Sequence, residues 1–225
     1  MKSEKISELT TNRLSVYLRC LNDLAGSGAT TVSSEKLAET YHLNSAQIRK
    51  DLANFGDFGV RGVGYDIASL IERLTSILGL DQQHFVCIIG AGRLGTALAD
   101  YYDFKGTNFK VTALFDADRS KIGKKVGEIN VFDIKDFSAV VKKDKIEVAV
   151  IAVPPNNAQQ VLEQVTEAGI KAVMNFAPVP LKVVDSVKLK TIDLTTSLES
   201  LSYFLAGSGS SNGKELNPFT DNRRK

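Results

Sequence analysis

Cysteine and histidine are scarce in this chain of 225 residues, with two of each. Cys20 and Cys87 fall inside a helical and a strand pattern, where a free thiol behaves as a small buried apolar group. Together with His42 and His84, at unrelated spacings, they assemble no set of zinc ligands. A disulfide scaffold and a metal centre are therefore not expected. Long apolar runs are missing too, and Met1-Lys2-Ser3-Glu4-Lys5 leads into no apolar segment, so the expectation is neither a membrane span nor a signal peptide but a cytoplasmic protein. Charge of one sign is also lacking: the net charge is +2, and residues 1–75 hold nine Lys/Arg against nine Asp/Glu. Gross charge gives no support for nucleic-acid binding, and any such case must rest on local placement.

The chain exceeds what one average domain needs, and 43% apolar residues suffice for two cores. Residues 1–79 read as helical. Leu14, Tyr17, Leu18, Leu21 and Leu24 recur at helical spacing until Ala25-Gly26-Ser27-Gly28 ends the run. Ser33 and Ser34 offer an N-cap for Glu35 to Tyr41, and Asn44 or Ser45 caps a third helix carrying Ile48, Leu52 and Phe55 on one face. The glycines between Gly56 and Tyr65 permit a small hairpin, a wing, before a helix with Ile67, Leu70, Leu74, Ile77 and Leu78 inward and Gly79 as its stop.

From residue 80 to 192 the pattern changes to apolar runs at Phe85–Ile89, Val111–Phe115, Val148–Val153 and Ala172–Asn175. Apolarity on both faces marks buried parallel strands, and Leu94–Phe104, Ile134–Lys142 and Ala158–Ala168 supply crossover helices. The expected fold class is therefore α/β: an N-terminal winged helix followed by a Rossmann-like, doubly wound parallel sheet. Residues 193–207 form a last helix, opened by the capping-box spacing of Thr196-Ser197-Leu198-Glu199 and apolar around most of its circumference. Residues 208–225, rich in Gly, Ser and Asn, read as a disordered tail.

The loop Gly90-Ala91-Gly92-Arg93-Leu94-Gly95 follows the first strand and opens a helix, and Asp116 ends the next strand 21 residues after Gly95. A lone G-x-G-x-x-G is weak, but this context makes it a pyrophosphate loop whose helix N-terminus supplies N–H donors and a positive dipole end. Asp116 accepts from ribose hydroxyls and repels a 2′-phosphate, favouring NAD(H), although Arg119 and Lys121 follow closely. Val153-Pro154-Pro155 and Asn175-Phe176-Ala177-Pro178 fall at the same carboxyl edge and border the nicotinamide in this reading. A dehydrogenase needs a proton donor near the nicotinamide. His84 starts the first strand at the opposite edge, His42 lies in a helical turn, and the Tyr101/Lys105 pair closes the first crossover helix, so hydride transfer is not expected.

A third helix after a tight turn, followed by a wing, describes a winged helix, whose third helix commonly enters a major groove, although such units also serve as protein-interaction modules. With Ile48, Leu52 and Phe55 inward, Ser45, Gln47, Arg49, Lys50 and Asn54 face solvent or groove, and Arg61 and Tyr65 extend from the wing. Ser45 through Leu52 (SAQIRKDL), Phe55-Gly56 through Gly64-Tyr65, the Gly90 loop, Asn175-Phe176-Ala177-Pro178 and Leu201-Ser202-Tyr203-Phe204-Leu205 together resemble the Rex family of redox-sensing transcriptional repressors, over roughly residues 10–206. The resemblance implies a homodimer that binds palindromic double-stranded operator DNA when NADH is scarce and releases it when NADH binds, with the C-terminal helix inserted into the partner subunit.

Phe176, Pro155, Ala177 and Tyr203 would then offer apolar surface suited to a neutral reduced ring, and Asp193, entering with the C-terminal helix of the partner subunit, would alternate between Arg93 or Tyr101 and other contacts. Two competing readings stand beside this one. Val148–Val173 with Gly169-Ile170-Lys171 also resembles CoA-binding Rossmann domains, giving a regulator that senses another nucleotide; a small NAD-dependent dehydrogenase is the enzymatic alternative.

Overall fold

The computed structural model describes residues 6–56, 58–60, 62–101 and 107–207, with the side chain of Tyr101 left aside. The chain divides into two compact units between Asp81 and Gln82.

The first unit contains α1 (Glu8–Gly26), β1 (Thr31–Val32), α2 (Ser34–Tyr41), α3 (Ser45–Ala53), β2 (Gly59–Val60), β3 (Gly64–Asp66) and α4 (Ile67–Ile77). Each helix starts on a side-chain cap. Ser7, Ser33, Asn44 and Asp66 accept from the backbone N–H of Thr10, Lys36, Gln47 and Ser69. Each such bond satisfies a donor that the first turn leaves unpaired, contributing about 1 kcal/mol. The apolar stripes meet in one core of Leu14, Tyr17, Leu18, Leu21, Leu37, Ile48, Leu52, Ile67, Leu70 and Leu74, with Leu24 and Phe55 only partly buried at its rim.

The hairpin is a three-stranded sheet. The sequence reading omits β1, which pairs antiparallel with β3 in the order β1-β3-β2. Two residues are too few for strand alternation to register. This added strand corrects the placement of Tyr65. Paired with Val32 and Gly59, its ring is 9% exposed and packs in the core instead of extending from the wing.

The second unit contains β4 (His84–Ile89), α5 (Arg93–Tyr101), β5 (Phe109–Asp116), β6 (Lys125–Val126), β7 (Ile129–Asp133), α6 (Phe137–Lys143), β8 (Val148–Ile151), α7 (Pro155–Glu167), β9 (Ala172–Asn175), β10 (Lys188–Thr191) and α8 (Leu194–Gly207). The sheet order is β10-β9-β8-β4-β5-β7-β6, parallel except for the β6–β7 hairpin. Starting from β4, the chain builds outward through β5 and β7, then returns to build the other way through β8, β9 and β10. That is the doubly wound dinucleotide order, with its switch point between β4 and β8. Cys87 and Ile89 pack under α6 and α7 on one face, while Val86 and Ile88 pack with Ala99 of α5 on the other. Cover on both faces is why the strand reads as a continuous apolar run.

In this unit three strands and the starts of α6, α7 and α8 differ from expectation, α6 beginning at Phe137 after a single 3-10 turn at Ile134–Asp136. Strands β6, β7 and β10 were not anticipated; Lys188-Leu189-Lys190-Thr191 is a mostly exposed edge strand with no apolar run to betray it. Helix α7 begins at Pro155, whose fixed φ suits a first helical position. Helix α8 begins at Leu194, three residues before the point implied by Thr196-Ser197, because the Asp193 carboxylate caps it by accepting from the N–H of Thr195 and Thr196. Among the described residues no helix is long and apolar enough to cross a membrane. The tail from 208 to 225, Arg61 and Lys105 lie outside the described residues.

Candidate functional site

At the switch point the backbone itself makes the cradle. Gly90 continues β4 by donating to Phe115 O, Ala152 N donates to Ile89 O, and Phe176 N donates to Ile151 O, so the loops after β4, β8 and β9 leave the sheet side by side. Gly90 has φ +104°, and a Cβ there would stand 2.5 Å from the carbonyl oxygen of Ala152. A Cβ on Gly95 would fall inside the carbonyl oxygen of Gly90. The first turn of α5 is thereby pressed onto the end of β4, with its N–H groups aimed along the helix axis. Gly92 differs: a Cβ there would meet nothing within 4 Å, so the loop is open on that side.

Asp116 sits where β5 ends, its side chain 13% exposed. One oxygen accepts from Ala91 N at 2.9 Å and from Lys121 Nζ at 2.9 Å, and the other from Asp118 N at 2.9 Å. Burial works to raise its pKa, yet the Lys121 ammonium and the two N–H donors outweigh burial and hold the carboxyl below its usual range. An ionised carboxylate beside an open glycine loop fits the ribose and pyrophosphate of a dinucleotide. Such a group supplies a nicotinamide whose ring charge depends on its redox state, and Gly90 through Gly95 and Asp116 are the residues that would hold it.

The remaining predicted positions divide. Arg93 and Leu94 are exposed at the start of α5, Ala91 is buried, Val153 is half-buried, and Pro154 and Pro178 are exposed. Phe176 is half-buried against the core. Asn175 and Ala177 point inward, which corrects their reading as ligand-facing groups. The Asn175 amide is completely buried, accepting from Ala177 N and donating to Ala177 O and Thr191 Oγ1, and the Ala177 methyl is 2% exposed. These two shape the loop that carries Phe176. Tyr203 lies on α8 and is 76% exposed. Asp193 is engaged in capping α8, and the Tyr101 side chain lies outside the description. His84 stands at the amino end of β4, with Nδ1 2.8 Å from Glu147, at the opposite edge from the Gly90 loop. Among the described residues no cluster suited to a metal ion occurs.

In the first unit, Arg49 and Lys50 are exposed on α3 and Asn54 at its C-cap, and Ser45 and Gln47 are half-buried. Arg49 is not free in solvent: its Nη1 donates to Ser34 Oγ at 2.8 Å and Glu35 Oε1 at 2.5 Å, beside the groove between α2, α3 and the hairpin. Sequence reasoning missed Asp51. Its carboxylate is 2% exposed and accepts from Arg13 Nε and Nη2 at 2.5 and 2.8 Å, Tyr17 OH at 2.9 Å and Gln47 Nε2 at 2.7 Å. Arg13 and Tyr17 stand one turn apart on α1, a signal that becomes legible only once α1 and α3 are packed together.

A family model described as a CoA binding domain matches residues 81–179, and one described as a putative DNA-binding protein N-terminus matches residues 5–53. Similar curated proteins include redox-sensing transcriptional repressors named Rex. The protein from Carboxydothermus hydrogenoformans is 45% identical over 90% of this chain and 98% of its own, and Rex 1 of Thermotoga maritima is 42% identical over 89% and 96%. Among solved structures, that of RSP in complex with β-NAD+ and operator DNA superposes with a TM-score of 0.87 at 37% identity, covering 91% of this chain and 94% of that one. RSP in complex with β-NADH gives 0.81 at 35% identity, covering 92% and 97%. With relatives this similar over almost their entire lengths, the chain belongs to the Rex family of redox-sensing transcriptional repressors.

Proposed function

We propose that this protein is a transcriptional repressor, not an enzyme, which binds palindromic operator DNA as a homodimer and is released from it by NADH. The observation that carries the reading is the pairing, in one chain, of a glycine loop at the β4/β8 switch point with a helix-turn-helix unit that exposes Arg49 and Lys50 on α3 and Asn54 at its C-cap. Support for the dimer comes from α8, where Leu194, Leu198, Leu201, Tyr203, Phe204 and Leu205 are between 48% and 78% exposed. Apolar surface on this scale needs a cover, and a second copy supplies it. A repressor acts on DNA in the cytoplasm, the compartment this reading assigns.

Oxidised and reduced cofactors differ at the nicotinamide, so preference must arise there. Phe176, Val153, Pro154 and Pro155 place apolar surface at the carboxyl edge, which favours a neutral ring over a cationic one. Driving a two-state equilibrium from 99% bound to 99% released needs a differential affinity of about 5.5 kcal/mol. The charge of Asp193, at the root of α8, reports ring occupancy through Arg93 or Tyr101. Asp193→Asn keeps a capping oxygen for α8 and removes the charge, so it is expected to leave NADH affinity intact and to weaken NADH-driven release of DNA; unchanged release would discard this role.

The match of residues 81–179 to a CoA-binding model keeps one other ligand in view. Titrating a bound DNA duplex at fixed salt with NADH, NAD+ and acyl-CoA separates the readings. Release by NADH alone is the expected result; release by acyl-CoA, or hydride turnover without DNA binding, would overturn it.

A further inference from the structure

From the geometry of Asp51 we infer that this buried carboxylate is a positioning residue for sequence reading: it presets the Gln47 amide so that α3 offers a hydrogen-bond acceptor to an exocyclic amine on a base edge. The inference rests on the DNA-binding reading above and deepens it.

The Asp51 carboxylate is anchored before Gln47 is considered. Arg13 grips both of its oxygens and the Tyr17 hydroxyl donates to one, so α1 fixes it independently of Gln47. Its pKa is held down in that setting, and the group stays ionised. An ionised carboxylate only accepts, so whatever Gln47 turns toward it must be the amide nitrogen. That hydrogen bond, Nε2 to Oδ1 at 2.7 Å, spans one helical turn and leaves Oε1 on the end of the amide turned away from the carboxylate. A glutamine on an exposed helix ordinarily samples several rotamers and both amide orientations. Here the orientation is decided inside the unit, before DNA arrives, and that ordering cost is not met again on binding.

Chemistry then narrows the target. In the major groove the amines are adenine N6 and cytosine N4; guanine offers acceptors at O6 and N7, and thymine offers O4. Presented to the groove, that carbonyl oxygen would read an adenine or a cytosine at one position on one strand. Reversing that base pair moves the amine to the other strand and puts an acceptor against an acceptor.

The test uses the full-length protein and the duplex it selects from a random-sequence pool. Binding is measured by anisotropy at fixed salt against every single base-pair substitution, for the unaltered chain, Gln47→Ala and Asp51→Asn. Both variants are expected to lose about tenfold in discrimination at the same adenine or cytosine, most clearly against the reversed pair, with other positions, the salt slope and NADH affinity unchanged. Gln47→Ala leaves the Arg13–Asp51–Tyr17 node in place, so it reads the position even if Asp51→Asn loosens the unit. Uniform weakening of every duplex with a shallower salt slope would mark Gln47 as a phosphate contact and overturn the inference; so would an unchanged panel, or losses at different positions in the two variants. Failure of the unaltered chain to select any duplex would instead overturn the DNA-binding reading beneath it.

Discussion

Gly95 shows how much a single missing atom decides. Because a Cβ there would occupy the place of the Gly90 carbonyl oxygen, Gly95→Ala must push α5 away from β4 and open the phosphate cradle. The expected outcome is loss of NADH binding in a fluorescence titration together with a lower melting temperature; tight NADH binding by the variant would contradict the assignment of the loop. Asp51 makes a complementary prediction about stability. Asp51→Ala leaves the buried Tyr17 hydroxyl without its acceptor and Arg13 with only Thr10 Oγ1, and is expected to cost about 3 kcal/mol in denaturant unfolding. Since the carboxyl is held below its ordinary value near 3.8, its stabilisation is complete above that pH and is lost as pH falls through the lowered folded value. The stability gap between the unaltered protein and Asp51→Ala should therefore shrink below pH 3.8. A gap that stays constant in acid would show that the ion pair is not its source.

At the scale of elements, what the sequence disclosed follows from period and length. Helices with full apolar stripes, such as α1 with Leu14, Leu18 and Leu21, declare themselves, as do strands covered on both faces, such as β4. Strands β1 and β6 hold two residues each and β10 is a mostly exposed edge, so none carries a pattern to read. The glycine loop and Asp116 are legible because their chemistry is local in sequence. Tyr65, Asn175 and Ala177 misled because an aromatic in a wing and a polar residue at a strand end look like ligand contacts until the neighbours that bury them, Val32 and Thr191 among them, are in place. The Arg13–Asp51 pair spans two helices and had no local signal. Helix α8 is the element whose surplus was visible from the start, and its Leu201, 57% exposed, tests what covers it. Leu201→Glu is expected to convert a dimer into a monomer in analytical ultracentrifugation while leaving the fold of each unit intact by circular dichroism. A dimer of undiminished affinity would remove α8 from the interface.

For the whole molecule, the two units are built differently: one holds a doubly wound sheet with a glycine loop at its switch point, the other a helix-turn-helix that exposes Lys50 on α3 and Asn54 just beyond it. The claim that joins them is linkage. A ligand shifts the DNA equilibrium only by its differential affinity for the two states, so a redox sensor must respond to the ratio of the two cofactors and not to their sum. The most direct measurement follows anisotropy of the protein's selected duplex at fixed salt and a constant total pool of NADH plus NAD+ while the ratio is varied. DNA is predicted to dissociate progressively as the NADH fraction rises and to rebind when NADH is oxidised back to NAD+. Occupancy of the duplex that ignores the ratio, while NADH fluorescence shows the cofactor bound, would contradict the account.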